Sequence, residues 1–423
     1  MSTANNHSSL LSNTPKLAFI LVTSLFLMWG LANNMTDTLL AAFKKIMSKS
    51  DAETSWIQFV FYGSYFLLAI PAAIITKKYS YKSGILIGLG LFVAGALLFY
   101  PASKTMVYGH FLAALFILAG GLSILETAAN PYIVAMGPED TGTQRLNLAQ
   151  SFNPIGSILG VELSRRFILS KLNQASADER AQLSAEQLQD IQAAELSAVM
   201  GPYVGVALVL LLIWVAIAAT RMPRAEDSGS LDFGGTFKRL LKKPNWVWGV
   251  IAQFFYVGAQ ICVWSYTIRY VMQELALDEA DASQYYSYAL YAFLLSRFVC
   301  TFLMRYIDAK NLLGILATAA IGLTAVVMFG SGYLAVYALV SISACMSLMF
   351  PTIYALGVAG LGEDTKIGGS GLIMAILGGA ILTQVMGFVS DASGSIKMAY
   401  IVPLLCFVVI TYYGFVASKR VGA

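Results

Sequence analysis

Two carboxylic acids lie in stretches that are otherwise almost entirely apolar. Asp37 closes the run Trp29-Gly-Leu-Ala-Asn-Asn-Met-Thr-Asp37, and Glu126 sits in Leu125-Glu-Thr-Ala-Ala-Asn-Pro131. Neither has a basic residue within one helical turn. An ionised side chain at membrane depth costs about 2.5–3.5 kcal/mol on insertion scales, so the default reading of such a group is a functional site. Desolvation disfavours the charged form of a carboxylic acid. An acid in a cavity that alternates between wet and dry can therefore load and release a proton. Asn33, Asn34 and Thr36 also put neutral oxygens beside Asp37, so Na⁺ is the alternative ion there. The structural alternative is that fixed hydrogen bonds or a basic partner hold each acid.

Neutral amides recur near these acids: Asn33, Asn34, Asn130, Asn147, Gln150 and Asn153 early in the chain, then Gln253 and Gln260 later. Gln150 and Asn153 are three apart, and Asn147 precedes them by one turn, so one helix face can carry all three. An amide offers both donor and acceptor, which matches a polyhydroxylated ligand such as a sugar. Trp29, Phe152, Tyr256, Trp264, Tyr266 and Phe350 lie near these positions. Flat rings pack against the C–H faces of a pyranose, although most aromatics in membrane spans serve packing or interface belts. Amides that only tie neighbouring helices are the corresponding alternative for the polar set. The nearest intramembrane counter-charge is Arg297, within the eighth run; Glu162, with Arg165 and Arg166 three and four residues on, reads as a local ion pair.

The elements that position these groups follow from composition. The chain of 423 residues is 58% hydrophobic and 12% charged, with a mean hydropathy of +0.70, which marks a polytopic membrane protein. Twelve apolar runs are expected at 17–43, 54–76, 83–101, 105–136, 145–169, 199–220, 246–273, 282–304, 311–329, 331–360, 367–390 and 396–418. With 1.5 Å of rise per residue, Asp37 lies about 10 Å from Lys44 at one boundary, and Glu126 roughly 16 Å from Gly137 at the other. Sixteen of the twenty-seven Lys and Arg residues fall on one side if both termini are cytoplasmic, mainly through Arg221 to Lys243; Lys44, Lys45 and Lys49 oppose that bias. Residues 171–197 read as a short surface helix or pair of helices.

Residues 1–15 read as a disordered cytoplasmic tail, 16–220 as an N-terminal six-helix half, 221–245 as a cytoplasmic linker, 246–418 as a C-terminal six-helix half, and 419–423 as a second cytoplasmic tail. A repeat supports the division. Asn130-Pro131 is followed by Glu139-Asp-Thr141, and Phe350-Pro351 by Glu363-Asp-Thr365, at separations of 220 and 224 residues. Two parallel six-helix halves with a midplane site are the architecture of major facilitator transporters. The expected fold is an all-α membrane protein of twelve transmembrane helices in two pseudo-symmetric halves. The Gly368–Gly371 run and Gly378-Gly379 suit close helix approach. The four cysteines all fall in apolar runs and read as small core residues. With His7 and His110 as the two histidines and one deep aspartate, an intramembrane protease or a metal enzyme lacks its ligands and bases.

Beyond these patterns, Trp29 to Asp37, Leu125 to Pro131 and Arg145-Leu-Asn-Leu-Ala-Gln-Ser-Phe-Asn153 resemble the fucose:proton symporter family of major facilitator sugar carriers. The likeness continues through Ala252 to Gln260, Trp264 to Tyr270, Phe350 to Ile353, Gly362 to Lys366 and Val385 to Asp391. The resemblance implies proton coupling at Asp37 and Glu126, and sugar contacts at Asn34, Gln150, Asn153, Trp29 and Phe350. This chain departs from the family in having Phe350 where a tyrosine is expected, and Thr36 where an asparagine is.

The expected function is proton-coupled import of L-fucose or a related monosaccharide by alternating access, without enzymatic activity, cofactor or nucleic-acid partner. Asp37 and Glu126 would couple the ion, and Trp29, Asn33, Asn34, Asn130, Asn147, Gln150, Asn153, Gln253, Gln260 and Phe350 would bind sugar. The alternatives are a Na⁺-coupled glucose, galactose or aminosugar symporter, and a non-pumping facilitator, channel or sensor. The expected setting is a monomer in the lipid bilayer of a bacterial inner membrane.

Overall fold

A computed structural model of the chain describes residues 14–46, 51–168, 171–173, 179–180, 182–222 and 232–418. The expected tail residues 1–13 and 419–423 lie outside these. The first half comprises α1 (Lys16–Ile46), α2 (Asp51–Lys78), α3 (Tyr81–Thr105), α4 (Tyr108–Ala135), α5 (Gly142–Gln150), α6 (Phe152–Phe167) and α7 (Ala185–Ala219). A short helix α8 (Phe233–Leu241) follows, and then α9 (Pro244–Leu275), α10 (Glu279–Leu303), α11 (Ala309–Phe329), α12 (Gly332–Met346), α13 (Met349–Val358), α14 (Thr365–Met374), α15 (Gly378–Ser393), α16 (Ile396–Ala399) and α17 (Ile401–Phe415).

Among the described residues, eleven helical runs are long and apolar enough to cross a membrane. The expected fifth span, 145–169, is instead the broken pair α5 and α6. Pro154 is the cause: its ring lacks an N–H for the Gln150 carbonyl and crowds it, so the helix parts at Ser151. The expected tenth span breaks in the same way, between α12 and α13, where Pro351 leaves the Ser347 carbonyl without its helical donor.

Two further expectations change. The surface helix expected within 171–197 is partly continuous with the sixth span, because Ser184 and Gln187 form a capping box that starts α7 at Ala185. The linker expected at 221–245 contains α8, whose Asp232 cap accepts a bond from the Gly235 N–H at 2.9 Å. Arg239 of that helix pairs with Asp364 at 2.6 and 2.9 Å and so ties the linker to the loop before α14.

Helix ends are satisfied by named donors. Arg145, fully buried on α5, donates to the carbonyls of Ile133 and Val134 at the end of α4 and to Thr141 Oγ1, at 3.3, 2.6 and 2.6 Å. These are carbonyls that a helix terminus leaves open. Replacing Arg145 with Met is therefore expected to lower stability by about 3 kcal/mol, the scale of losing several bonds to a charged donor. A thermal unfolding midpoint in detergent indistinguishable from wild type would contradict this.

Packing divides the helices into two groups. In the first half α3 lies on α4 and α7, α1 on α6 and α2 on α4; in the second, α9 lies on α15 and α17, and α11 on α12 and α17. The glycine run works as expected: an added Cβ at Gly371 would sit 2.6 Å from the Trp246 ring, and one at Gly378 2.0 Å from the Phe254 carbonyl.

The halves meet through specific bonds. Gln144 Nε2 donates to the Thr301 carbonyl at 2.9 Å, and Asn147 Nδ2 to Thr352 Oγ1 at 3.1 Å. Toward the end of the bundle that carries the starts of α3 and α14, the Lys366 ammonium stands 4.8 Å over the Tyr81 ring, which stacks on Tyr132.

Candidate functional site

A cavity of about 220 Å³ opens between the halves. That is the liquid volume of about seven waters, enough for one small polar solute. Its first wall comes from α1, α2, α4 and the α5–α6 break: Trp29, Asn33, Asn34, Tyr65, Glu126, Gln150, Asn153 and Ser157. The break matters here, because it lets Gln150 on one short helix and Asn153 on the next both reach the space.

The opposite wall is mostly apolar, with Gln260, Tyr286 and Arg297 as its polar members. Val257, Ile261, Leu290, Ile376 and the rings of Tyr256, Trp264, Phe293 and Phe350 line it. Two of its ring tips are turned to their own half: Tyr256 Oη donates to the Met346 carbonyl at 3.2 Å, and Trp264 Nε1 to Ser343 Oγ at 3.2 Å. With those tips satisfied, the rings offer flat hydrocarbon. Trp264 and Phe293 meet edge to face at 5.1 Å, and Tyr256 and Phe350 at 6.2 Å.

Glu126 is 1% exposed, and neither of its carboxyl oxygens has a hydrogen-bond partner among the described residues. An unsatisfied carboxyl in such a place is costly in either protonation state, and far more so when charged. Asn33 Oδ1 is likewise buried with no partner among the described residues. By contrast, Gln150 Nε2 donates to Asn130 Oδ1 at 2.8 Å, and Asn34 Nδ2 to the Gly30 carbonyl at 3.1 Å.

Of the residues expected from sequence, Glu126, Trp29, Asn33, Asn34, Gln150, Asn153, Gln260 and Phe350 are brought together on this cavity. Asn130, Asn147 and Gln253 do not line it. Asn130 sits behind Gln150, and Asn147 donates to Thr352 across the halves. Gln253 is fully buried on α9, and neither of its amide atoms has a hydrogen-bond partner among the described residues. Asp37 belongs to α1, but its side chain lies outside the described residues, as do those of Thr36 and Arg165. Glu162 does pair with Arg166, at 3.6 Å.

Sequence reasoning missed Phe61, Tyr62, Tyr65 and Ser157, all on the first wall. The aromatic cluster at 59–65 was the available signal; nothing in it distinguishes a lining ring from a lipid-facing one. Arg297 also lines the cavity, with its guanidinium 4.6 Å from the Phe293 ring centre.

Two helical halves closing on a central cavity, rich in amides on one side and mostly apolar on the other, define a membrane solute carrier of the kind that rocks its halves about a midplane site. Comparison with known proteins agrees. The sequence pattern of the Major Facilitator Superfamily matches residues 17–376. The chain belongs to that superfamily and, within it, to the fucose:proton symporter family. It is 39% identical over 413 residues to an L-fucose-proton symporter of Haemophilus influenzae, covering 95% of this chain and 96% of that protein. A glucose/galactose transporter of Brucella abortus is 34% identical over 408 residues, 94% and 93% of the two chains. The crystal structure of the transporter FucP in the outward conformation superposes with a TM-score of 0.89 at 41% identity, covering 94% of this chain and 97% of that one. The chain is a transporter, not an enzyme.

Proposed function

We propose that the protein is a proton-coupled symporter that imports L-fucose or a closely related monosaccharide by alternating access. The observation that carries this reading is the pairing, in one sugar-sized cavity, of a wall of amides with a buried Glu126 that has no hydrogen-bond partner among the described residues. The amides receive hydroxyls, and the carboxyl takes the coupling proton. Asp37, on the same helix as Trp29, Asn33 and Asn34, is the second coupling acid in this scheme. Asn33, Asn34, Gln150, Asn153, Gln260, Trp29 and Phe350 bind sugar, and Asn130 acts by orienting Gln150. The name of the Haemophilus relative, an L-fucose-proton symporter, supports both the sugar and the proton.

In this proposal the protein works as a monomer in a bacterial inner membrane, with both termini and the residue 221–245 linker in the cytoplasm. The end of the bundle that carries Tyr81 and Lys366 then faces the cytoplasm. Residues 16–220 and 246–418 form the two moving halves.

The apolar patch of Val257, Ile261 and Ile376 favours a 6-deoxy sugar. A methyl group rests on Val257, Ile261 or Ile376 without loss, whereas a hydroxymethyl group there would bury an unpaired hydroxyl. L-Galactose, the 6-hydroxy counterpart of L-fucose, is therefore expected to compete roughly tenfold less well for uptake, the effect of about 1.4 kcal/mol. The check is inhibition of labelled L-fucose uptake into proteoliposomes by L-galactose, D-galactose and D-glucose. Stronger competition from D-glucose or D-galactose than from unlabelled L-fucose would move the assignment to the glucose/galactose carriers that the Brucella relative represents.

A further inference from the structure

Arg297 on α10 is 3% exposed and reaches three places at once. Its Nε donates to the carbonyl of Ser347 in its own half, and its Nη1 donates at 2.9 Å to the carbonyl of Gln150 in the other. Both acceptors have the same origin: each carbonyl lies four residues before a proline, Pro351 and Pro154, which withholds the helical N–H it would otherwise bond. Two helices are thus broken on either side of the cavity, and one guanidinium takes the carbonyl left open at each break. The third nitrogen, Nη2, makes no hydrogen bond to the described residues, and Arg297 is part of the cavity lining. The Phe293 ring supports the guanidinium plane from one side.

We propose that Arg297 both binds the sugar and latches the halves together, donating from Nη2 to a substrate oxygen while Nη1 holds Gln150. Gln150 itself lines the cavity through its side chain, so substrate touches the latch at both ends. Rocking the halves must separate α10 from α5, and the Nη1 bond is a charge-assisted bond across that boundary, of the stronger kind. A sugar that draws the guanidinium toward itself weakens that bond and so favours the change of state. This inference rests on the carrier reading above for its substrate, and on geometry alone for the latch.

The test uses spin labels at Tyr79 and Glu363, exposed residues of opposite halves near the Tyr81–Lys366 contact. The four native cysteines are buried, which leaves the introduced pair for labelling. Double electron–electron resonance on the reconstituted protein then reads the separation of the halves, with and without L-fucose. In wild type the short separation dominates without sugar, and L-fucose raises the long one. Arg297→Met raises the ratio of long to short roughly tenfold without sugar, the scale of a lost charge-assisted bond, and abolishes the response to L-fucose.

Pro154→Ala supplies a second route. It restores an N–H that competes for the Gln150 carbonyl, and it is expected to raise the long population while Arg297 is intact; it also decides the matter if the Met variant fails to fold. Distance distributions of both variants that match wild type would overturn the latch. A wild-type protein that responds to no sugar would overturn the transport reading, and the sugar-free comparison would still decide the latch.

Discussion

Replacing Glu126 with Gln is expected to abolish proton-driven accumulation of sugar while leaving sugar exchange across the membrane intact. Gln keeps the shape of the protonated acid but cannot release a proton. Glu126 lines the cavity, is 1% exposed, and has no hydrogen-bond partner among the described residues that would hold it permanently in one state. That freedom separates a loading site from a structural carboxyl. A one-to-one symporter at equilibrium accumulates sugar about tenfold per unit of pH difference, since one proton across one pH unit is worth 1.36 kcal/mol. The variant should therefore fall from that ratio to equal concentrations inside and out. Counterflow of labelled sugar against a preloaded pool should persist. Uphill uptake by Glu126→Gln at the wild-type ratio would remove Glu126 from the coupling role.

The second large effect is expected at Gly156, where α6 lies directly on the backbone of α1. A Cβ built at Gly156 stands 1.8 Å from the Leu27 carbonyl oxygen; one at Gly30 stands 2.0 Å from the Asn153 carbonyl oxygen, and one at Gly160 2.4 Å from that of Leu31. These neighbours are backbone atoms, so no side chain can rotate away. Small residues of this kind allow helices in a membrane to touch, and their close packing is the main attraction between them. Gly156→Val must force α1 away from α6, at a cost beyond the usual 1–3 kcal/mol of overpacking. Because Asn33 and Asn34 of α1 and Asn153 and Ser157 of α6 line the cavity together, the shift also pulls the polar wall apart. The expected result is loss of monodisperse protein after solubilisation, or a sharply lower unfolding temperature. Gly63→Ala is the control, since nothing lies within 4 Å of its added Cβ. Equal stability of Gly156→Val and Gly63→Ala would contradict the packing argument.

The membrane class, the helical fold and much of the polar wall were legible in the sequence because their signals are local. A run of about twenty apolar residues specifies a span without reference to its neighbours. An acid or amide within it stands out for the same reason, and so Glu126, Asn33, Asn34, Gln150 and Asn153 could be named in advance. Helix continuity was less legible. Pro154 and Pro351 were present to be read, yet a proline within a span can kink it or divide it, and the packing around it decides which. The role of Arg297 was hidden because its acceptors are backbone carbonyls 147 and 50 residues away, and carbonyls leave no mark in a side-chain pattern. Asn147 and Gln253 carried the same amide signal as Gln150, but Asn147 turns to Thr352, and Gln253 is fully buried away from the cavity lining. Tyr65 and Phe61 were indistinguishable from lipid-facing aromatics until α2 was placed against α4.

The most direct test of proton-coupled sugar import is uptake of labelled L-fucose into proteoliposomes holding the wild-type protein. The internal pH is set above the external pH, and Na⁺ is absent from both sides. The account predicts accumulation above the external concentration that collapses when a protonophore is added. Equilibration without accumulation, or accumulation that appears with a Na⁺ gradient and not with the pH gradient, would contradict it.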